Sequence, residues 1–273
     1  MVTVLRFASF ALALAVLAAL ERLAPRRARA PGAARRWTAN LGLLAIDAAT
    51  VGIIAPGAAV GVAFAAQAHG WGLVNELPIP AWAALPLSVA LLDLAIYFQH
   101  VMFHAIPTLW RLHRVHHSDI DFDVTTGVRF HPVEILISVA IKCAAVAAIG
   151  ASAAAVIAFE ILLNTSSLFS HSNLRMPSWL DRGLRLFLVT PDMHRVHHSV
   201  RYNESSSNFG FCLPWWDRLC GTYRAQPAQS HESMPIGVDA FRGPGDGRLD
   251  RLLTQPWRDS PGGYSINRRP EAG

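Results

Sequence analysis

The chain has 273 residues, of which 52% are hydrophobic and only 16% are charged, a balance that excludes an ordinary soluble domain and indicates a membrane protein. The net charge of +5 comes almost entirely from arginine, since Lys142 is the only lysine. The chain lacks a basic domain with interleaved aromatic residues, so the charge does not indicate nucleic-acid binding. The three cysteines, Cys143, Cys212 and Cys220, form neither a CxxC pair nor a disulfide framework, so they give no sign of a thiolate metal site.

Apolar stretches predict four or five membrane-spanning helices. A bilayer core of about 30 Å requires about 20 apolar residues in helical form, and residues 2–20, 41–66 and 82–98 meet this requirement. A longer apolar block, residues 133–169, is broken near Gly150. We expect this block to form a helical hairpin that returns the chain to the side it left. The sequence thus predicts an all-α integral membrane protein.

The hairpin contains two opposite charges. Lys142 and Glu160 lie eight and nine residues from the expected tip at Gly150 and Ala151. They should therefore reach a similar depth, and ionisable groups inside a membrane usually find partners. We expect Lys142 and Glu160 to pair across the hairpin.

The distribution of arginines predicts the orientation in the membrane. Six arginines lie between residues 22 and 36, whereas residues 67–80 contain no lysine or arginine. Cytosolic loops carry the excess of these residues, so we expect the N-terminus outside and the C-terminus in the cytosol. The densely basic segment after residues 2–20 favours a retained membrane anchor, and a signal peptide with a cleavage site at residues 16–18 is the alternative.

The hexapeptide HRVHHS occurs twice, at residues 113–118 and 194–199. The histidines of each copy are spaced i, i+3, i+4, which places them on one side of a helix. Thr190, Pro191 and Asp192 supply a cap, a first residue and an acidic first turn for the second helix. A third group with i, i+4 spacing stands at the predicted cytosolic end of the third span. The three groups are His100 and His104; His113, His116 and His117; and His194, His197 and His198.

Eight histidines gathered on one side of a membrane predict a metal site. Clustered imidazoles repel one another when protonated, and a cation that holds the rings neutral removes this cost. Neutral imidazole suits zinc, iron, copper and nickel, and no HExxH motif supports a zinc protease. A structural zinc takes about four ligands, so this set predicts two metal ions. His131 and His171 bracket the hairpin near the same membrane face, whereas His69 and His231 are expected to be ordinary surface residues.

These motifs resemble those of a known family. HVMFH at residues 100–104 and the two HRVHH segments look like the HxxxH, HxxHH and HxxHH boxes of the membrane-bound fatty acid hydroxylase/sterol desaturase superfamily. The segments LWRLHRVHHS, TPDMHRVHHS and WWDRLCGTY extend the resemblance, which covers roughly residues 93–223. Together with the apolar spans and the charge pattern, it indicates three parts: a membrane anchor and basic cytosolic loop (1–36), a membrane-embedded catalytic domain (37–223) and a cytosolic tail (224–273), whose last dozen residues are expected to be disordered.

The resemblance also implies a cofactor and a ligand set. Members of the superfamily use a non-haem di-iron centre, with two iron ions and O2, to hydroxylate or desaturate a lipid. His131 and His171 would then join the box histidines as further ligands or close neighbours. The implied metal set is His100, His104, His113, His116, His117, His131, His171, His194, His197 and His198.

Three other residues are candidates for orienting a ligand imidazole. Asp119 directly follows the first HRVHHS copy, where a solvated loop is the alternative interpretation. Asn164 lies seven residues before His171 on the same helix face, and Asp192 begins the second histidine helix.

The predicted function is that of an oxidoreductase which acts on an apolar lipid chain or a sterol-like substrate in the membrane. The chain has no haem, flavin or iron–sulfur motif, so electrons would come from a separate ferredoxin- or cytochrome-type donor with its reductase. Hydroxylation, desaturation and ether-lipid cleavage are not distinguished by sequence, nor is the oligomeric state. The alternative is a non-catalytic membrane metal-binding or transport protein, which would distribute its polar groups along the spans at several depths.

Overall fold

A computed structural model describes residues 2–30 and 32–259 of the chain. Within these ranges the regular structure is helical, and the β contacts there are two isolated bridges. The predicted all-α fold class is confirmed. The α-helices are α1 (Val2–Leu23), α2 (Ala33–Ile54), α3 (Ala58–His69), α4 (Leu73–Glu76), α5 (Ala81–Ala105), α6 (Pro107–His117), α7 (Pro132–Ile149), α8 (Ala153–Ser170), α9 (Ser178–Leu184), α10 (Pro191–His197), α11 (Tyr202–Ser205), α12 (Trp215–Leu219) and α13 (Leu249–Thr254).

Five segments of the described chain are long and apolar enough to cross a membrane: α1, the run from α2 to α4, α5, α7 and α8. Large apolar side chains on these segments are exposed, as lipid-facing residues would be. Ile53 and Trp82, for example, are 80% and 82% exposed. The structure thus agrees with the prediction of four or five spans in a multi-pass membrane protein.

The second predicted span, residues 41–66, is not a single helix. α2 already begins at Ala33 and ends at Ile54, and α3 begins at Ala58. Pro56 has no backbone N–H donor and Gly57 has a left-handed φ of 66°, so these two residues interrupt the helix between Ile54 and Ala58.

The predicted hairpin is confirmed with its tip in the expected place. α7 ends at Ile149, and the next residue, Gly150, has a left-handed φ of 75°. The Ser152 side chain caps α8 by accepting a hydrogen bond from the Ala155 amide. The turn before α4 packs against this tip so closely that a Cβ on Gly72 would lie 2.2 Å from the Gly150 nitrogen.

The hairpin charges also pair as predicted. Lys142 Nζ donates to Glu160 Oε1 at 2.7 Å. Arg6 of α1 contacts the second oxygen of Glu160, so one carboxylate holds two cations.

α1 runs parallel to α8 and ends beside the histidine-bearing end of the helix bundle. Near its start Arg6 contacts Glu160, and near its end the buried Glu21 accepts hydrogen bonds from the amides of Asn173 and Val124. The first residues of α1 therefore lie at the end of the bundle that is remote from the histidines.

The segment after residue 223 folds back over that histidine-bearing end. Leu252 of α13 is buried in one core cluster with Leu43 and Val115, and Met234 and Ile236 pack on Phe122. The expected disorder concerns the last dozen residues, which lie outside the described residues.

Candidate metal centre

Four elements converge to bring nine histidines together at one end of the bundle. α5 ends there, α6 and α10 lie across it, and α8 arrives at His171. The ligand atoms in each of two buried groups lie within 4.8 Å of one another. Group A contains His100, His104, His113, His117 and His197; group B contains His116, His171, His194 and His198.

The two HRVHH copies contribute to both groups in a crossed manner. The first and last histidines of copy one, His113 and His117, lie in group A, and its middle one, His116, lies in group B. Copy two reverses this, because His194 and His198 lie in group B and His197 in group A. At 3.6 residues per turn, positions i and i+4 differ by about 40° around the helix axis, whereas i+3 and i+4 differ by about 100°. The repeated spacing thus directs one imidazole of each copy towards the neighbouring group.

Hydrogen bonds at Nδ1 fix the orientation of four histidine rings. The Nδ1 atoms of His100, His171 and His197 each lie 2.7 Å from a backbone carbonyl oxygen, those of Phe209, Ser167 and Ser207 respectively. The Nδ1 atom of His113 lies 2.6 Å from Oε1 of Glu134. A carbonyl oxygen only accepts hydrogen bonds, so Nδ1 carries the proton in the first three rings and Nε2 presents a lone pair.

The arrangement of the Nε2 atoms fits a bound cation. Nε2 of His100 and Nε2 of His197 are 3.0 Å apart, and both present lone pairs, so no hydrogen bond can join these neutral rings. In group B, the Nε2 atom of His171 likewise lies 3.1 Å from the Nε2 atoms of both His116 and His194. A metal ion beside these atoms would turn the repulsion between lone pairs into coordination, and neutral imidazole nitrogen suits iron or zinc.

Burial keeps the imidazoles neutral and able to bind a metal. It lowers the pKa of His113 to about 3 and that of His171 to about 4. For His116, His194 and His198, burial together with the neighbouring imidazoles lowers the pKa well below the usual 6.5. Nitrogen lone pairs are therefore present throughout the neutral pH range.

The structure places His131 outside both groups. Its Nδ1 accepts a hydrogen bond from the Val133 amide at the start of α7, and its Nε2 lies 3.1 Å from the Leu253 carbonyl oxygen. His131 is thus the N-cap of α7, whereas His171 lies within group B as the sequence indicated.

The three residues expected to orient ligands have different surroundings. Asp119 accepts from Arg36 at 2.7 Å and from Thr126 at 2.9 Å. Although burial alone would raise its pKa, Arg36 and Arg129 hold the pKa of Asp119 below the usual 3.8. Asp119 therefore anchors the loop that follows α6, since it accepts hydrogen bonds from Arg36, Asn40 and Thr126 rather than from a histidine.

Asp192 and Asn164 have unrelated surroundings. Asp192 pairs with Arg26 and Arg195, which ties α10 to the segment after α1. Asn164 lines a cavity together with His100 and His113.

The two histidines expected on the surface differ from each other. His69 is exposed and stacks on Trp71 with ring centroids 5.0 Å apart. The expectation for His231 was wrong, since it is only 4% exposed and lies 3.2 Å from the Gln226 side-chain oxygen. The fold of residues 224–259 over the bundle buries it.

Two carboxylates that support the site were not among the candidate site residues predicted from the sequence. Glu134, which holds His113, stands in the first turn of an apolar membrane helix, and an ionisable residue in such a position is itself a signal. Asp217 accepts from the amides of Phe209 and Gly210 and from the Thr222 hydroxyl, which fixes the loop whose Phe209 carbonyl receives His100. Only the fold reveals the second connection.

A cavity of about 380 Å³ reaches the histidines from within the bundle. His100 and His113 lie on its wall, and most of the lining is apolar, from residues such as Phe10, Val51 and Phe211. This volume is within the usual range of small-molecule sites. The site therefore combines a metal-binding set of imidazoles with an apolar chamber.

Known proteins similar to the chain act on lipids. A family model described as fatty acid hydroxylase matches residues 85–222, about half of the chain. The ornithine lipid hydroxylase OlsE of Rhizobium tropici is 30% identical over 194 residues, 70% of this chain and 56% of that protein. The alkylglycerol monooxygenase of Xenopus tropicalis is 28% identical, over 67% of this chain and 41% of that protein. A very-long-chain aldehyde decarbonylase of rice, GL1-1, is 30% identical over 59% of this chain and 28% of that protein.

The chain thus spans about half or less of the length of these curated relatives. No solved structure is significantly similar to it. The matched residues 85–222 contain all nine histidines of groups A and B. The chain therefore belongs to the fatty acid hydroxylase family.

Proposed function

We propose that this protein hydroxylates a membrane lipid with O2 and that its nine grouped histidines hold two iron ions. The observation that carries the proposal is the facing pair of Nε2 lone pairs on His100 and His197, set beside an apolar cavity. A dinuclear iron centre supplies the activation of O2 that oxidation of an unactivated C–H bond requires. Group A and group B would hold one ion each.

The residues of this chain would position the reaction. Carbonyl oxygens and Glu134 orient the ligand rings, and the apolar cavity wall would align the lipid chain and exclude water. His100 and His113 both line the cavity, so a chain lying there would pass directly beside group A. We prefer hydroxylation to desaturation because the relatives that cover most of the chain are named as a hydroxylase and a monooxygenase.

The partner and the membrane orientation belong to the same proposal. Electrons would come from a separate ferredoxin- or cytochrome-type donor with its reductase. The histidine-bearing end of the bundle would face the cytosol, where such a donor is found, because the adjoining segments are rich in arginine.

Two measurements test the proposal. Metal analysis of protein purified from iron-replete cells should give two transition-metal ions per chain, and one or none would contradict the dinuclear centre. Zinc in place of iron would not, since zinc competes for nitrogen ligands. Lipid mass spectrometry of cells grown under 18O2, with and without the gene, should show lipids that gain one 18O atom. Two metals without any labelled lipid would favour the non-catalytic metal-binding alternative.

A further inference from the structure

The cavity beside the histidines contains one carboxyl group without a partner. The face of α2 that lines it consists of Leu44, Asp47, Ala48 and Val51, so Asp47 is the polar exception on an otherwise apolar wall. Asp47 is only 6% exposed, and its enclosed Oδ1 has no hydrogen-bond partner among the described residues. Buried polar atoms are almost always hydrogen-bonded, and inside a membrane an unsatisfied one is especially costly.

The other two carboxyl groups of the cavity each have at least one partner. Arg6 and Lys142 both hold Glu160, and Glu134 Oε1 receives His113. Among the described residues, no ion pair joins a cation to Asp47. A hydrogen-bond donor supplied by a ligand would satisfy it.

Asp47 lies at the metal end of the cavity. It lies one helical turn after Leu43, which is buried in one cluster with Val115 of α6, and α6 carries His113 of group A. Asp47 and His113 line the same cavity. Val51 and Val139 continue the wall away from the histidines towards Lys142 and Glu160. A ligand donor at Asp47 would therefore stand near the metals, with the apolar remainder of the ligand extending deeper into the bundle.

We infer that the substrate is a lipid that carries a hydroxyl, amide N–H or ammonium group, that Asp47 accepts a hydrogen bond from this group, and that oxidation occurs close to it. This inference rests on the proposed lipid hydroxylation and specifies its substrate. Asp47 is a positioning residue for the polar end of the lipid, and the apolar wall holds the hydrocarbon chain. Carbons far along that chain would lie in the deep part of the cavity, away from group A.

The test compares full-length variants in cells grown under 18O2. The variants are Asp47→Leu, Asp47→Asn and, as a matched control on the same face of α2, Leu44→Met. Lipid extracts are analysed by mass spectrometry and fragmentation, and the metal content of each purified protein is measured. Losing the acceptor leaves the donor of the lipid buried without a partner, so we expect Asp47→Leu to form roughly tenfold less labelled lipid, with two metals retained. Asp47→Asn keeps a carbonyl acceptor and should fall between wild type and Asp47→Leu, while Leu44→Met should stay within about twofold of wild type.

The wild-type products alone also test the inference. Each labelled lipid should carry a donor group other than the new hydroxyl, with the 18O on a carbon near that group. Labelled lipids without such a group, label near the chain terminus, or full activity in both Asp47 variants would overturn the inference and leave lipid hydroxylation standing. If Asp47→Leu loses its metals, the isosteric Asp47→Asn variant decides the question. Wild-type cells without any labelled lipid would instead contradict the proposed function itself.

Discussion

At the level of single residues, the centre depends on the direction of each imidazole rather than on the number of histidines. His116 and His197 are the two histidines that cross from their own HRVHH copy into the neighbouring group. Each has its Nε2 about 3 Å from the Nε2 of a ligand candidate on another element, His171 and His100 respectively. These two residues therefore connect the copies to the rest of the site.

Replacing His116 or His197 by alanine should abolish lipid oxidation. Changes to groups that merely contact metal ligands already cost about 10- to 100-fold, so loss of a ligand should cost more than about 100-fold. Metal content per chain should fall in parallel, as measured by elemental analysis of the purified protein. The exposed His69→Ala is the control and should behave as wild type. Normal oxidation with normal metal content in both variants would mean that the repeated motif is not the centre.

His131 and His171 should respond differently to the same substitution. His171→Ala removes a member of group B and should lower the metal content. His131→Ala removes an N-cap, so it should cost about 1 kcal/mol of stability while both metal ions remain bound. Thermal unfolding and metal analysis of the two variants separate these roles. Loss of one metal in His131→Ala would show that His131 is a ligand after all.

Glu134 should prove essential for the orientation of His113. Glu134→Ala removes the acceptor at 2.6 Å from Nδ1 and should reduce activity or metal affinity by about 10- to 100-fold. Glu134→Gln keeps an oxygen acceptor and should lose less. The measurement is lipid oxidation together with metal retention during dialysis against a chelator. Equal and small effects of both substitutions would contradict the role of this hydrogen bond.

At the level of elements, hydropathy and helix signals specified much of the structure. The hairpin tip at Gly150, the Thr190 cap of α10 and the pairing of Lys142 with Glu160 follow from turn chemistry, capping and charge depth, and all three are present. The interruption of the second span could also have been read, because Pro56 and Gly57 mark it in the sequence. Other features could not be predicted, because they depend on contacts between residues distant in the chain. The hydrogen bond from His100 to Phe209, which Asp217 supports, and the burial of His231 are of this kind.

The ion cluster on α1, α7 and α8 predicts an order of stability among variants. Glu160→Gln leaves both Arg6 and Lys142 without their carboxylate, whereas Lys142→Met leaves the pair of Arg6 and Glu160 intact. Removing one partner of a buried ion pair costs about 3–5 kcal/mol. Thermal unfolding in detergent should therefore rank wild type above Lys142→Met and Lys142→Met above Glu160→Gln.

Glu76→Gln is a matched control for this cluster, since it is the same substitution at an exposed position. It should change stability by less than about 0.5 kcal/mol. A Glu160→Gln protein as stable as wild type would show that the cluster does not hold the three helices together.

At the level of the whole molecule, the fold separates two ends with different chemistry. The turn at Gly72 and the hairpin tip at Gly150 lie together at one end, and the histidines lie at the other. The arginines at positions 22–36 flank the histidine end, and residues 67–80 at the tip end have no lysine or arginine. Because positively charged loops stay in the cytosol, we expect the hairpin tip to lie on the outer side of the membrane and the histidines to lie on the cytosolic side.

Thiol labelling tests this orientation with residues at known positions. Cys220 is exposed near the histidine end, and Leu77, 53% exposed, lies near the tip. A membrane-impermeant maleimide should label Leu77→Cys, made in a Cys220→Ser background, in intact spheroplasts. Cys220 in the natural sequence should react only after the membrane is permeabilised, while the buried Cys212 should stay unreactive in both conditions. Labelling of both positions from the same side would refute the number of spans, and labelling in the opposite order would place the histidines outside the cell, away from cytosolic electron donors.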